Sequence, residues 1–240
     1  MRRFFVSPEA VQGPRVVLPP EESRHVAAVL RLRAGDRIVV FDGSGRDYVV
    51  QLTAVAALAV EGRVVETRAG TTSPVQLTLV QGIPKGSKMD LIVRMGTEVG
   101  IARFVPVLTH RAVARPAPAR GARWRRIAAA AATQSGRSTV PVVDDPRSFS
   151  EVWPLLEDAL VLIPWEGEKS RPIGAILAQN RTTRAVAVCI GPEGGWTPEE
   201  VQQAVAHGAH PVTLGELILR TETAGLVAAA IVLYELTRRP

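Results

Sequence analysis

The chain has 240 residues, 46% hydrophobic and 22% charged, with a formal net charge of +6. That composition excludes a disordered chain and suits one large or two smaller packed domains. A single cysteine, Cys189, excludes an internal disulfide, and His25, His110, His207 and His210 show no metal-ligand spacing, so no metal site is expected. The opening Met1–Pro8 holds two arginines and no apolar core, so no secretory signal is expected. The longest apolar run, from Ala224 to Tyr234, is too short to cross a bilayer. The expectation is a cytoplasmic protein without membrane contact.

In chain order, residues 1–70 read as a mostly β domain. Arg15–Leu18, Asp36–Phe41, Tyr48–Ala54 and Ala59–Glu66 are short Val-, Ile- and Leu-rich runs divided by turn residues. Asp42–Arg46 reads as a hairpin turn, and Glu21–Leu32 as one helix with Gly35 just beyond it. Strands of this length with one helix suggest a small β-barrel. Residues 69–74 read as a linker.

From residue 75 to 240 the pattern alternates between strand and helix. Strands are predicted at Val75–Ile83, Arg103–Leu108, Val140–Val143, Ala159–Pro164, Arg184–Ile190 and Pro211–Leu214. Helices are predicted after Ser87, where Met89, Ile92, Val93 and Gly96 share a face, and at Arg120–Ser135, Ser148–Asp158, Ile173–Ala178, Pro198–His207 and Thr221–Thr237. Continuous apolar strands alternating with helices indicate an α/β domain with a parallel sheet covered on both faces.

Charge is distributed unevenly. From Val99 to Val143 there is no Asp or Glu, yet the stretch carries Arg103, Arg111, Arg115, Arg120, Arg123, Arg125, Arg126 and Arg137. Guanidinium groups suit phosphate contacts and base stacking, so this stretch is expected to face a nucleic acid.

Four segments bear on chemistry. In Ile190–Glu200 a buried strand runs into a turn with three glycines, then a helix start with Thr197 as N-cap, Pro198 at N1 and Glu200 at N3. Such a turn, at the carboxyl end of a strand, lets backbone approach a ligand closely. In Leu214–Ala224 another strand ends at Gly215, and Arg220 and Glu222 flank the start of an apolar helix. Lys85 and Lys88 sit at a helix N-terminus, against the helix dipole, which suits reaching an anion. Thr133–Arg137 closes the arginine-bearing helix with a polar cluster. No Lys-Ser/Thr follows the glycine turn, which argues against a nucleotide phosphate loop.

The segments KGSKMDLIVRMGTEVGI, RWRRIAAAAATQSGR, IGPEGGWTPEEV and LGELILRTETAGL, in that order, resemble the bacterial 16S rRNA uracil-N3 methyltransferases of the RsmE type, in the SPOUT superfamily. RHVAAVLRLRAGD and the opening RRFFV extend the resemblance to a small PUA-like β-barrel domain. The resemblance implies a SPOUT-type parallel sheet with a C-terminal trefoil knot, a homodimer, and S-adenosylmethionine held in the knot. By motif position the methyl donor would be surrounded by Ile163, Pro164, Trp165 and Glu166, by Gly191, Pro192, Gly194 and Gly195, and by Leu214, Gly215, Ile218, Leu219, Thr221 and Thr223. Arg220 would stabilise developing negative charge, and either Glu222 or Glu193 would accept a proton. The partner implied is 16S rRNA or the small ribosomal subunit, met by Arg3, His25, Arg31, Lys85, Lys88, Arg111, Arg123, Arg126 and Arg137. Three positions depart from the family pattern: Thr109-His110-Arg111 stands where Ser-Glu-Arg is expected, Leu217 where Arg is expected, and Trp196 where Phe is more usual. Methylation at another RNA position, or a non-catalytic ribosome-assembly factor, are the alternatives; the intact Gly191–Gly195 and Leu214–Thr223 segments argue against the second.

Overall fold

The computed structural model describes residues 1–112 and 120–237. The chain forms two compact units, Met1–Thr72 with Ala132–Val140, and Ser73–Ala131 with the chain from Pro141 onward.

The first unit holds β1 (Arg3–Phe5), β2 (Val11–Gln12), β3 (Arg15–Leu18), α1 (Pro20–Arg24), β4 (Arg37–Phe41), β5 (Arg46–Val55) and β6 (Val60–Ala69). The strands run β1-β4-β5-β6-β3-β2, antiparallel except for the β1–β4 pair. Phe4, Val16, Leu18, Ile38, Val40, Val50, Leu52 and Val60 form its core. Strands β1 and β2, three and two residues long, are too short to show alternation in sequence. The helix expected over Glu21–Leu32 is instead α1 followed by a π-helical turn, His25–Val29. This wider turn buries Val26 fully and lets Leu30 and Leu32 pack on the same core.

Residues 132–140 join this unit through Ser138. Its Oγ donates to Asp47 Oδ1 at 2.6 Å and accepts from the Thr71 amide at 3.1 Å, while Arg3 donates to Asp47 Oδ2 at 2.6 Å. Burial opposes ionisation of Asp47, but the Arg3 and Ser138 hydrogen bonds hold its carboxyl below the usual range.

The second unit holds β7 (Gln76–Gly82), α2 (Lys88–Val99), β8 (Arg103–Leu108), all but the last turn of α3 (Arg120–Ser135), β9 (Val142–Val143), β10 (Arg147–Ser148), β11 (Leu160–Pro164), α4 (Ile173–Gln179), β12 (Ala185–Ile190), α5 (Pro198–Ala206), β13 (His210–Val212) and α6 (Thr221–Thr237). The sheet order is β10-β8-β7-β12-β11-β13, parallel throughout, with β9 beside β8. Its central strands are sheathed on both faces, as their unbroken apolar runs require. The helix expected at Ser148–Asp158 is two 3-10 turns, Phe149–Glu151 and Trp153–Leu155. Pro154 cannot continue an α-helix, and the two turns bury Phe149 and Trp153 in the core. Helix α6 packs on α2, α4, β7 and β12, so its first turn lies where the strands end.

Candidate active site

Strands β11, β12 and β13 lie side by side and parallel, so their carboxyl ends release three loops at one place. Open α/β sheets bind ligands at such an edge. Residues 164–166, 168–169, 190–193, 195–196 and 213–222, with Ala224 and Lys88, line a cavity of about 450 Å³ there, within the range of small-molecule and cofactor sites.

Local chemistry sets the shape of the second loop. Thr197 and Glu200 form a reciprocal capping box at the start of α5. Glu200 is buried, and its remaining oxygen accepts the His110 amide at 2.8 Å, fixing the end of β8 to α5. Gly195 has a φ of +68°, a backbone that side chains resist, and a Cβ on Gly191 would lie 3.0 Å from the Gly195 carbonyl carbon. Thr221 links this loop to α6: its hydroxyl donates to the Gly191 carbonyl at 2.6 Å and accepts from Gln81 Nε2 at 2.9 Å. Both Gln81 and Thr221 are buried.

Most of the expected cofactor residues line the cavity: Pro164, Trp165, Glu166, Gly191, Pro192, Gly195, Leu214, Gly215, Ile218, Leu219 and Thr221. Three do not. Ile163 is wholly buried in the sheet core, because strand alternation turns it away from the side that Pro164 presents. Gly194 faces Arg111, whose Nη1 donates to the Gly194 carbonyl at 2.8 Å; a Cβ at Gly194 would come 3.0 Å from Arg111 Cβ. Thr223 is exposed on α6, two residues beyond Thr221 and so on a different face of the helix.

The three expected catalytic residues, Arg220, Glu222 and Glu193, come together at the cavity. Glu193 accepts the Lys85 amide at 3.1 Å and Lys88 Nζ at 2.9 Å. Burial opposes its ionisation, but these donors hold its carboxyl below the ordinary range. Lys88 is in turn raised, first by its hydrogen bond to Glu193, and its Nζ lies 3.5 Å from Glu222 Oε2. Arg220 is exposed and forms no ion pair among the described residues. Those residues contain no cluster of His, Cys, Asp and Glu able to hold a metal, and no helix among them is long and apolar enough to cross a membrane.

The residues expected to meet RNA are less uniform. In the acid-free stretch, Arg103 pairs with Asp144, Arg123 with Asp90 and Arg125 with Asp145, while Arg111 bonds the carbonyls of Gly194 and Trp196. Arg137 is half-buried, and burial lowers its guanidinium. Arg126 is exposed with no ion pair to a described residue; Arg115 lies outside the described residues. Arg3 is committed to Asp47, and Lys88 to Glu193. His25, Arg31 and Lys85 have exposed side chains. The paired acids come from outside the stretch, which is why a window free of acids looked free of partners.

Gln81, Glu168, Lys169 and Glu216 also belong to this region and were not singled out in the sequence. A signal for Gln81 existed. It is the one long polar side chain in the run Leu77–Ile83, between Val80 and Gly82.

The fold and site define an RNA methyltransferase: residues 71–233 match the model of an RNA methyltransferase domain, and residues 18–65 that of an RNA methyltransferase PUA domain. The ribosomal RNA small subunit methyltransferase E of Synechocystis is 36% identical over 95% of this chain and 76% of the relative, and that of Bacillus subtilis is 31% identical over 98% and 97%. The crystal structure of the Neisseria gonorrhoeae ribosomal RNA small subunit methyltransferase E bound to S-adenosyl methionine is 36% identical, with a TM-score of 0.87, covering 96% of this chain and 95% of that one. The chain belongs to the ribosomal RNA small subunit methyltransferase E family.

Proposed function

We propose that the protein transfers a methyl group from S-adenosylmethionine to N3 of a specific uridine in 16S ribosomal RNA, in the cytoplasm. The observation that carries this reading is the cavity at the ends of β11, β12 and β13, where a glycine-lined backbone meets Arg220, Glu193 and Glu222. When bound, S-adenosylmethionine supplies an activated methyl group on a sulfonium sulfur. The residues present suit it. Leu214, Ile218 and Leu219 offer apolar contact to a purine, Gly191 and Gly195 allow close backbone approach, and Glu166, Glu168 and Glu216 bring negative charge to a cationic ligand. The C-terminal trefoil knot belongs to this reading, and the bond from Thr221 to Gly191 supports it by tying α6 to the loop after β12.

N3 of uracil lies on the Watson–Crick edge, so the base must be unpaired or flipped out to react. Arg220, exposed at the cavity and without an ion-pair partner among the described residues, stabilises the charge that develops on the imide. A carboxylate, Glu222 or Glu193, takes the N3 proton.

The RNA surface includes Lys85 and the exposed Arg126 of α3. Reversing Arg126 to Glu is expected to flatten the salt dependence of RNA binding by about one phosphate contact, and reversing Arg123, already paired with Asp90, by less. A homodimer is also part of the proposal. Helix α6 is apolar almost all round, yet Tyr234 is exposed, as are Met95 and Val99 of the adjoining α2. Light scattering is expected to give twice the 25.8 kDa chain mass.

The decisive experiment incubates the protein with S-adenosylmethionine and small-subunit rRNA, free or assembled, and maps the product by mass spectrometry. One N3-methyluridine is expected, and Arg220→Ala is expected to lower the rate at least about a hundredfold while cofactor binding persists. Methylation at ribose or at another base, or none, would refute the assignment.

A further inference from the structure

Glu193 and Glu222, the two carboxylates offered as proton acceptors, are not equivalent. Glu193 is fully engaged: Oε1 accepts Lys88 Nζ and the Lys85 amide, and Oε2 lies 3.3 Å from the same amide. It is also the more open of the two, with 32% of its side chain exposed against 15% for Glu222. Glu222 Oε2 is buried and receives no hydrogen bond among the described residues, although Lys88 Nζ is 3.5 Å away. A buried carboxylate oxygen without a donor is costly unless a cation stands near it. Here that cation also donates to Glu193 Oε1 at 2.9 Å.

From this geometry we infer that Glu222 accepts the N3 proton, that Lys88 is the positioning residue that holds its carboxylate at the cavity, and that Glu193 anchors Lys88; the inference rests on the methyl-transfer reading above. Two carboxylates sharing a cavity repel, and the Lys88 ammonium, 2.9 Å from Glu193 Oε1 and 3.5 Å from Glu222 Oε2, offsets that repulsion. Lys88 removes that conflict and leaves the Glu222 lone pair free. N3 gives its proton to Glu222, and the N3 electron pair takes the methyl carbon as the carbon–sulfur bond breaks onto sulfur. Glu222 then passes the proton to solvent. Of the charged groups that line the cavity with Glu222, Lys88 from α2 is the one in ion-pair contact with it; the others are Glu193 from the loop after β12, Glu216 and Arg220 from the loop before α6, and Glu166, Glu168 and Lys169 from the loop after β11. A lysine at a helix N-terminus, unexplained by the helix dipole, thereby gains a function within the site rather than on RNA.

The test uses the full-length protein and four variants, Glu222→Gln, Glu193→Gln, Lys88→Met and Lys88→Arg. Calorimetry measures S-adenosylmethionine affinity, and single-turnover methylation is followed from acid to neutral pH. Glu222→Gln is expected to bind S-adenosylmethionine within about threefold of wild type while the rate falls by about 10²–10⁴ and its decline towards acid disappears. Lys88→Met is expected to move that decline to higher pH, with Lys88→Arg restoring most of the rate, and Glu193→Gln is expected to cost less than Glu222→Gln. A Glu222→Gln rate within about threefold of wild type would overturn the inference. So would a pH profile flattened by Glu193→Gln instead, or one that Lys88→Met leaves unmoved. Failure of the methyl-transfer reading looks different: the wild type itself would bind no S-adenosylmethionine or make no N3-methyluridine.

Discussion

The loop after β12 and the loop after β13 both carry a strand end into a helix, yet they are built in opposite ways. Residues 191–197 are tied at nearly every position. Gly191 is bonded by Thr221, Glu193 by Lys85 and Lys88, Gly194 and Trp196 by Arg111, and Thr197 by Glu200. Residues 213–220 are secured at the ends: Thr213 bonds Gly215 and Arg171, and α6 begins at Thr221. Between those ends Leu217 and Ile218 are each 82% exposed. The cavity therefore has one preformed wall and one wall whose apolar side chains lack cover among the described residues. Ligand contact is the burial that the second wall can still gain.

The residue that joins the two walls should matter most. Thr221→Val strands the Gly191 carbonyl and one Gln81 proton in a buried place, so a loss of about 3 kcal/mol is expected, with cofactor affinity falling at least about tenfold. Thermal melting and calorimetry would measure both; a variant like wild type in each would break the link between the loops. Glu200→Ala acts on the preformed wall alone, removing the capping box and leaving the His110 amide unmatched. A cost of about 2 kcal/mol is expected, read as a lower denaturation midpoint.

Acid should distinguish the walls further. Glu193 has its carboxyl lowered in the folded protein, so its contribution is present above the ordinary glutamate range and is lost as pH falls through the folded value. Because Glu193 is about a third exposed, the expected effect is under about 1 kcal/mol. Hydrogen-exchange protection, taken relative to the intrinsic rate at each pH, should fall with acid more at residues 191–196 than at 214–219. The smallest effect on stability belongs to Leu217→Ser with Ile218→Ser, expected within about 0.5 kcal/mol per site, although cofactor affinity should fall. A large loss of stability there would show that the second wall is preformed too.

How much of this was legible depended on how far apart the partners lie in sequence. The capping box at Thr197–Glu200 spans three residues, and the strand before it is continuously apolar, so the loop's frame could be read directly. The second use of Glu200, on His110, spans 90 residues and left no mark. The same holds for Glu193 with Lys88, 105 residues apart, and for Asp47 with Ser138, which draws residues 132–140 into the first unit. Arg103 and Arg125 find acids just past the end of the acid-free window, and Arg123 finds Asp90 before it. Charge along the chain predicted a basic surface; only the fold shows which arginines are already engaged. Gln81 is the opposite case: a polar side chain in an apolar strand stands out in the sequence alone.

The state of Cys189 has a practical consequence. It is the chain's single cysteine, wholly buried in β12, and burial pushes its thiol up to about 12. A thiol-directed probe at neutral pH therefore finds almost no thiolate in the folded protein. One cysteine introduced at Leu217, on the uncovered wall, would take a fluorophore or spin label selectively without removing the native thiol. Its signal would report when a ligand covers that loop, in real time and without any RNA.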